Sequence, residues 1–116
     1  MQTSLAWCLL FTAQVAFADD GGFPKDSTPL DATTLNERIS GRDYVLSHSW
    51  AQDEARFQFH ANGTAWLNLG RQVDKGPWRT DGSHICIDWK YGTPGCFEVR
   101  EFDGRLFTRW GEMRPN

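Results

Sequence analysis

From Tyr44 onward the apolar side chains of this chain recur with a period of two, and turn signals interrupt the pattern every eight to twelve residues. The run ARFQFHANGTAWLNL, residues 55–69, is the clearest case. With Ala61-Asn62-Gly63 as a three-residue loop, Phe59 faces Ala65, Phe57 faces Leu67 and Ala55 faces Leu69. Gly63 then takes the left-handed position that such loops require. Tyr44-Val45-Leu46 predicts a strand before this hairpin, and Gly76-Pro77-Trp78 begins one after it. Asp81-Gly82 turns into a second hairpin, and Asp103-Gly104 turns Val99–Phe102 into Leu106–Trp110. Only one segment has helical spacing. In TTLNERISG, Thr34 and Glu37 form a capping box, Leu35 and Ile39 stand one turn apart, and Gly41 suits the position after the helix.

These signals predict an all-β domain: an antiparallel meander of about seven strands, curled into a strongly curved sheet or small barrel, with a short N-terminal helix closing one end. A sandwich is the alternative arrangement. Closure of the sheet stays open, because residues 70–76 carry no clear period.

The first residues change the picture by placing the chain. LAWCLLFTAQVAF, residues 5–17, is apolar but shorter than the roughly 20 residues a membrane-spanning helix needs. It ends in Ala16-Phe17-Ala18, a small-x-small cleavage pattern, followed at once by Asp19 and Asp20. No lysine or arginine precedes the apolar run, which departs from the usual signal, and an uncleaved anchor is the alternative. The expected organisation is a signal peptide over 1–18, a flexible leader over 19–30 rich in Gly and Pro, and one β-domain over 31–116. The formal net charge of −3 argues against nucleic acid and anionic membranes as partners, since both select a basic face. The expectation is an exported monomer, periplasmic or secreted, with no membrane insertion after cleavage.

Cleavage removes Cys8 and leaves Cys86 and Cys96, an even pair that in an exported protein reads as a disulfide. C-x9-C is neither a redox C-x-x-C nor half of a zinc ribbon. Placing Cys86 opposite Cys96 pairs His84 with Glu98, Ile85 with Phe97 and Ser83 with Val99, and leaves Lys90-Tyr91-Gly92 as the loop. Alternation then puts Ile85, Ile87, Trp89, Phe97 and Val99 on one face and Cys86, Asp88, Glu98 and Arg100 on the other. A single register thus yields an apolar face, a polar face and a bridgeable cysteine pair.

The order of these motifs resembles a recurring type of small exported proteobacterial β-domain protein, known mainly as domains of unknown function. The resemblance covers about the last 80 residues, as a helix ending in Ser40-Gly41, an Asn62-Gly63-Thr64 turn, a Gly76-Pro77-Trp78 strand and ICIDW…CFEV. It implies the β fold, the disulfide and the periplasm, and supplies no catalytic residue.

Candidate chemistry is sparse. His48, His60 and His84 fall on different strands with no two at ligand spacing, so no metal is expected, and nothing calls for a cofactor. His84 opposite Glu98 offers the elements of an oriented general base, as a hydrolase or isomerase would use, but no nucleophile accompanies them. An ordinary cross-strand pair is the plainer reading. Asn62-Gly63-Thr64 is formally a glycosylation sequon, which the turn already explains. Asp74-Lys75 reads as solvated loop charge. The aromatics suggest more: Trp50, Trp66, Trp78 and Tyr91 are the candidates for a binding surface or barrel mouth, with covering of the sheet as the alternative. The leading expectation is a non-catalytic binding domain for a small ligand or an envelope protein. An inhibitor or accessory subunit of an envelope enzyme, similar in size and disulfide use to small periplasmic lysozyme inhibitors, is the next.

Overall fold

The computed structural model describes residues 21–47 and 54–116. Among these described residues ten strands and one short helix follow one another as β1 (Thr28–Pro29), α1 (Ala32–Ile39), β2 (Arg42–Leu46), β3 (Ala55–Phe59), β4 (Thr64–Leu69) and β5 (Gln72–Asp81). They continue as β6 (His84–Ile87), β7 (Gly95–Glu98), β8 (Arg100–Phe102), β9 (Arg105–Thr108) and β10 (Gly111–Pro115). All pairings are antiparallel, in the order β1-β8-β9-β10-β2-β3-β4-β5-β6-β7. Because β7 and β8 are separated only by Val99, one continuous run of chain pairs with β6 in its first half and with β9 in its second. The sheet is thereby curled into a nearly closed barrel.

The expected meander is present, but with ten strands rather than about seven. Two of the additional strands are short or terminal: β1 is a two-residue pairing against β8, inside the stretch read as a leader, and β10 follows a turn at Arg109-Trp110. The third comes from the break at Val99, which divides one predicted strand in two. β5 is also longer than predicted. Its first half, starting at Gln72, pairs with β4, and its second half pairs with β6. A strand that changes partners half-way presents each half to different surroundings, which is why residues 70–76 lack a single period.

The hairpin registers agree with the sequence pattern. Phe59 lies opposite Ala65, Phe57 opposite Leu67 and Ala55 opposite Leu69. Gly63 has φ +94°, and Asn62 Oδ1 accepts from Thr64 N at 3.0 Å to brace the turn. In the second hairpin His84, Ile85 and Cys86 lie opposite Glu98, Phe97 and Cys96. Cys86 and Cys96 are disulfide-bonded, with Cα atoms 4.0 Å apart.

The helix starts earlier than expected. Asp31, not Thr34, is the N-cap, and its side chain accepts from Thr34 N at 2.8 Å. A carboxylate at the N-terminus of a helix meets both free N–H groups and the favourable end of the dipole, so Asp31 competes well with a hydroxyl three residues on. Leu35 and Ile39 are fully buried, as their spacing predicts. They plug one end of the barrel against Phe59 and Trp78, which meet edge to face at 5.5 Å. Thr80 Oγ1 donates to Ala32 O, Tyr44 Oη to Arg38 O and Trp78 Nε1 to His60 O, so these three polar groups beside the plug are partnered. Arg38 ties the helix to Glu101 and to the carbonyl of Gly104.

Candidate functional site

The helix closes one end of the barrel; among the described residues the other is open. There β4 turns into β5, β6 into β7 and β9 into β10, and these connections surround a cavity of about 720 Å³. Its wall is apolar: Leu67 and Leu69 from β4, Ile87 from β6, Phe97 from β7, with Trp89 and Trp110 from the connecting turns. Gln72, Val73, Tyr91 and Thr93 stand at the rim. Val73 is 49% exposed and Tyr91 76% exposed, and both are at the edge of this cavity. The cavity lies within the volume range of small-molecule sites.

Inward alternation explains the wall. Phe57 of β3 fills the barrel's middle and touches the rings of Phe59 at 5.6 Å, Phe97 at 5.9 Å and Trp89 at 6.5 Å. The helix side of that layer is filled by Phe59, Trp78, Leu35 and Ile39, and on its other side lies the cavity. Phe97 and Trp110 pack edge to face at 6.1 Å where β7 has no strand on its second edge.

The 88–94 loop, which forms one side of the mouth, is fixed at three places. Its base is the Cys86–Cys96 bond. Its first arm runs beside β5, with Asp88 N donating to Pro77 O at 3.0 Å and Lys90 N to Lys75 O at 2.8 Å. Gly76 permits this approach, because a Cβ there would overlap the Asp88 carbonyl. Its tip is gathered by Asp74. The Asp74 carboxylate accepts from the amides of Lys75 at 2.8 Å, Lys90 at 3.1 Å, Tyr91 at 3.1 Å and Gly92 at 2.9 Å. Burial acts to raise the pKa of Asp74, but the bonds from Tyr91, Gly92, Lys75 and Lys90 outweigh it and hold the carboxyl below its ordinary value. Asp74 was expected to be a solvated loop charge. Its role depends on amides sixteen to eighteen residues away in sequence, and no local pattern signals it.

The residues proposed from sequence are not gathered into one patch. Tyr91 stands at the rim, with Lys90 Nζ 5.2 Å from its ring centre. Trp66 is half-buried on the outer wall, where Lys75 Nζ lies 5.0 Å over its ring. Trp78 is 8% exposed and belongs to the core beside the helix. Trp50 and His48 lie outside the described residues. Trp89, placed on the apolar face by the cysteine register, and Trp110, assigned to a strand end, are the tryptophans that line the cavity. The alternation that marked Trp89 as inward would have found it.

His84 and Glu98 are opposite one another as expected, and His84 is exposed. The Glu98 carboxylate accepts from Arg100 Nε at 2.9 Å. Among the described residues no three His, Cys, Asp or Glu side chains are grouped so as to hold a metal ion, and no helix is long and apolar enough to cross a membrane. Compared with protein-family models, with curated proteins and with solved structures, the chain matches none.

Proposed function

We propose that this protein is an exported, non-catalytic binding domain whose open barrel mouth takes a small, largely apolar ligand. One observation carries the reading: a cavity of about 720 Å³ walled by Leu67, Leu69, Ile87, Trp89, Phe97 and Trp110. Small-molecule sites are concave and mostly apolar, with a few polar groups at the edge, and barrel mouths are a usual place for them. The apolar leader ending at Ala18 and the Cys86–Cys96 bond support an oxidising, extracytoplasmic setting such as the periplasm.

The test is titration with the uncharged probe N-phenyl-1-naphthylamine, which fluoresces when it leaves water. Saturable one-to-one binding is expected, weakened about tenfold by Leu69→Trp, which fills the mouth. Trp66→Ala, on the outer wall, should change nothing. The reverse result would move the site from the mouth to the outer surface.

A second reading has its own support. Tyr91, highly exposed on a loop held by a disulfide and a carboxylate, is the kind of preorganised aromatic on which a protein partner docks, as an inhibitor or accessory subunit requires. Tyr91→Ala would abolish capture of such a partner while weakening the probe only slightly, since the wall below the rim is unchanged.

A further inference from the structure

The charges around the mouth say what kind of apolar molecule fits, given the reading of the cavity as a ligand site. Five arginines are engaged by carboxylates: Arg38 by Glu101, Arg56 by Glu54, Arg79 by Asp88, Arg100 by Glu98 and Arg105 by Glu112. Three cations at the open end are not. Lys90 lies on the ring of Tyr91, and the Arg109 guanidinium lies 5.0 Å over the ring of Trp110, both rings belonging to the cavity's lining. Arg71, in the β4–β5 turn beside Gln72, lines a separate hollow with Glu54 and Arg56 and is not part of the cavity's lip. None of the three has an ion-pair partner among the described residues.

The described carboxylates of this end are already used. Asp74 is saturated by four amides, Asp88 is 3.8 Å from Arg79 and Glu54 is bonded to Arg56. A chain of formal charge −3 therefore carries an apolar cavity with a cationic lip. A cation resting on an aromatic face keeps its outward N–H groups free to donate. A cationic ligand would meet repulsion there, and an uncharged one would leave those donors to water.

We infer that the occupant is an amphiphilic anion, its hydrocarbon body among Leu67, Leu69, Ile87 and the two tryptophans, its carboxylate or phosphate head at the lip beside Lys90 and Arg109. A free acyl carboxylate and a phosphorylated lipid fragment share this chemistry.

Isothermal titration at neutral pH and low salt, below micelle concentrations, compares dodecanoate, dodecyl phosphate, 1-dodecanol and dodecyltrimethylammonium. The two anions should bind about tenfold or more tighter than the alcohol, and the ammonium most weakly. Added salt and the double variant Lys90→Gln/Arg109→Gln should each reduce that preference. Both positions are exposed, so the variant should fold with an unchanged thermal midpoint. The order of dodecanoate and dodecyl phosphate identifies the source of the head group. Equal binding of all four molecules, or an anion preference that survives in the double variant, overturns the assignment of the lip while the cavity remains a ligand site. Failure of all four to bind, together with failure of the uncharged probe, overturns the cavity reading itself.

Discussion

The two ends of this barrel are made of similar residues and arranged to opposite effect. At the helix end Leu35, Ile39, Phe59 and Trp78 interlock, and the Tyr44 and Thr80 hydroxyls and the Trp78 indole N–H are bonded to backbone carbonyls. At the mouth Leu67, Ile87, Trp89, Phe97 and Trp110 are just as apolar, but they line a space instead of filling it. What shapes the mouth, besides ring contacts, is the fixing of the 88–94 loop by the Cys86–Cys96 bond, by its backbone bonds to β5 and by the Asp74 carboxylate. Packing supplies stability, whereas fastenings can hold a shape that packing would otherwise collapse.

Three perturbations separate the two ends, in decreasing order of effect. Leu35→Ala removes a fully buried side chain from the plug and should cost about 2–5 kcal/mol, read as a fall in the urea midpoint. Probe selectivity at the mouth should survive wherever the variant remains folded. A variant that loses selectivity while folded would mean that the ends are not independent. Replacing both cysteines by serine should cost about 2.5–3 kcal/mol, the chain entropy of a loop of this length. The loss should appear together with faster amide exchange over 88–94 and little change in helix α1.

Asp74→Asn is expected to have the smallest effect on stability, about 1 kcal/mol, because one oxygen still accepts. Its effect on the mouth should be larger: amides of Tyr91 and Gly92 lose protection, and probe affinity falls without a matching shift in the thermal midpoint. Acid should act in the same direction. The folded-state pKa of Asp74 is depressed, so its contribution is present above the unfolded carboxylate value of 3.8 and is lost as the pH falls through the lower folded value. Asp31 is likewise lowered, chiefly by the bond from Thr34 N, so acid also loosens the helix cap. The two are told apart by following Tyr91 and Gly92 amides against Thr34. Protection of Gly92 that persists below that window would remove Asp74 from the fastening.

The parts of the fold that were legible in the sequence are those fixed by alternation. Both central hairpins have the register that Phe57, Phe59, Cys86 and Cys96 imply, since a slip by one residue would turn every apolar side chain outward. Strand number was less legible. Thr28-Pro29 is too short to show a period, and β5 changes neighbours at its middle. The site was legible only in fragments. Tyr91 and Trp89 fall near the mouth, but a cavity wall assembled from three strands and two turns has no linear signature. Asp74 resembles any loop aspartate until the fold delivers the amides of Lys90, Tyr91 and Gly92 to it.

β7 pairs with β6 on one edge only, and across its other edge the barrel wall consists of Phe97 against Trp110. Separating those two rings breaks no rung of backbone hydrogen bonding, whereas widening the barrel anywhere else does. That side of the wall is bounded by a pair of rings rather than by a neighbouring strand. On that side the width of the mouth is therefore set by two side chains and not by the sheet.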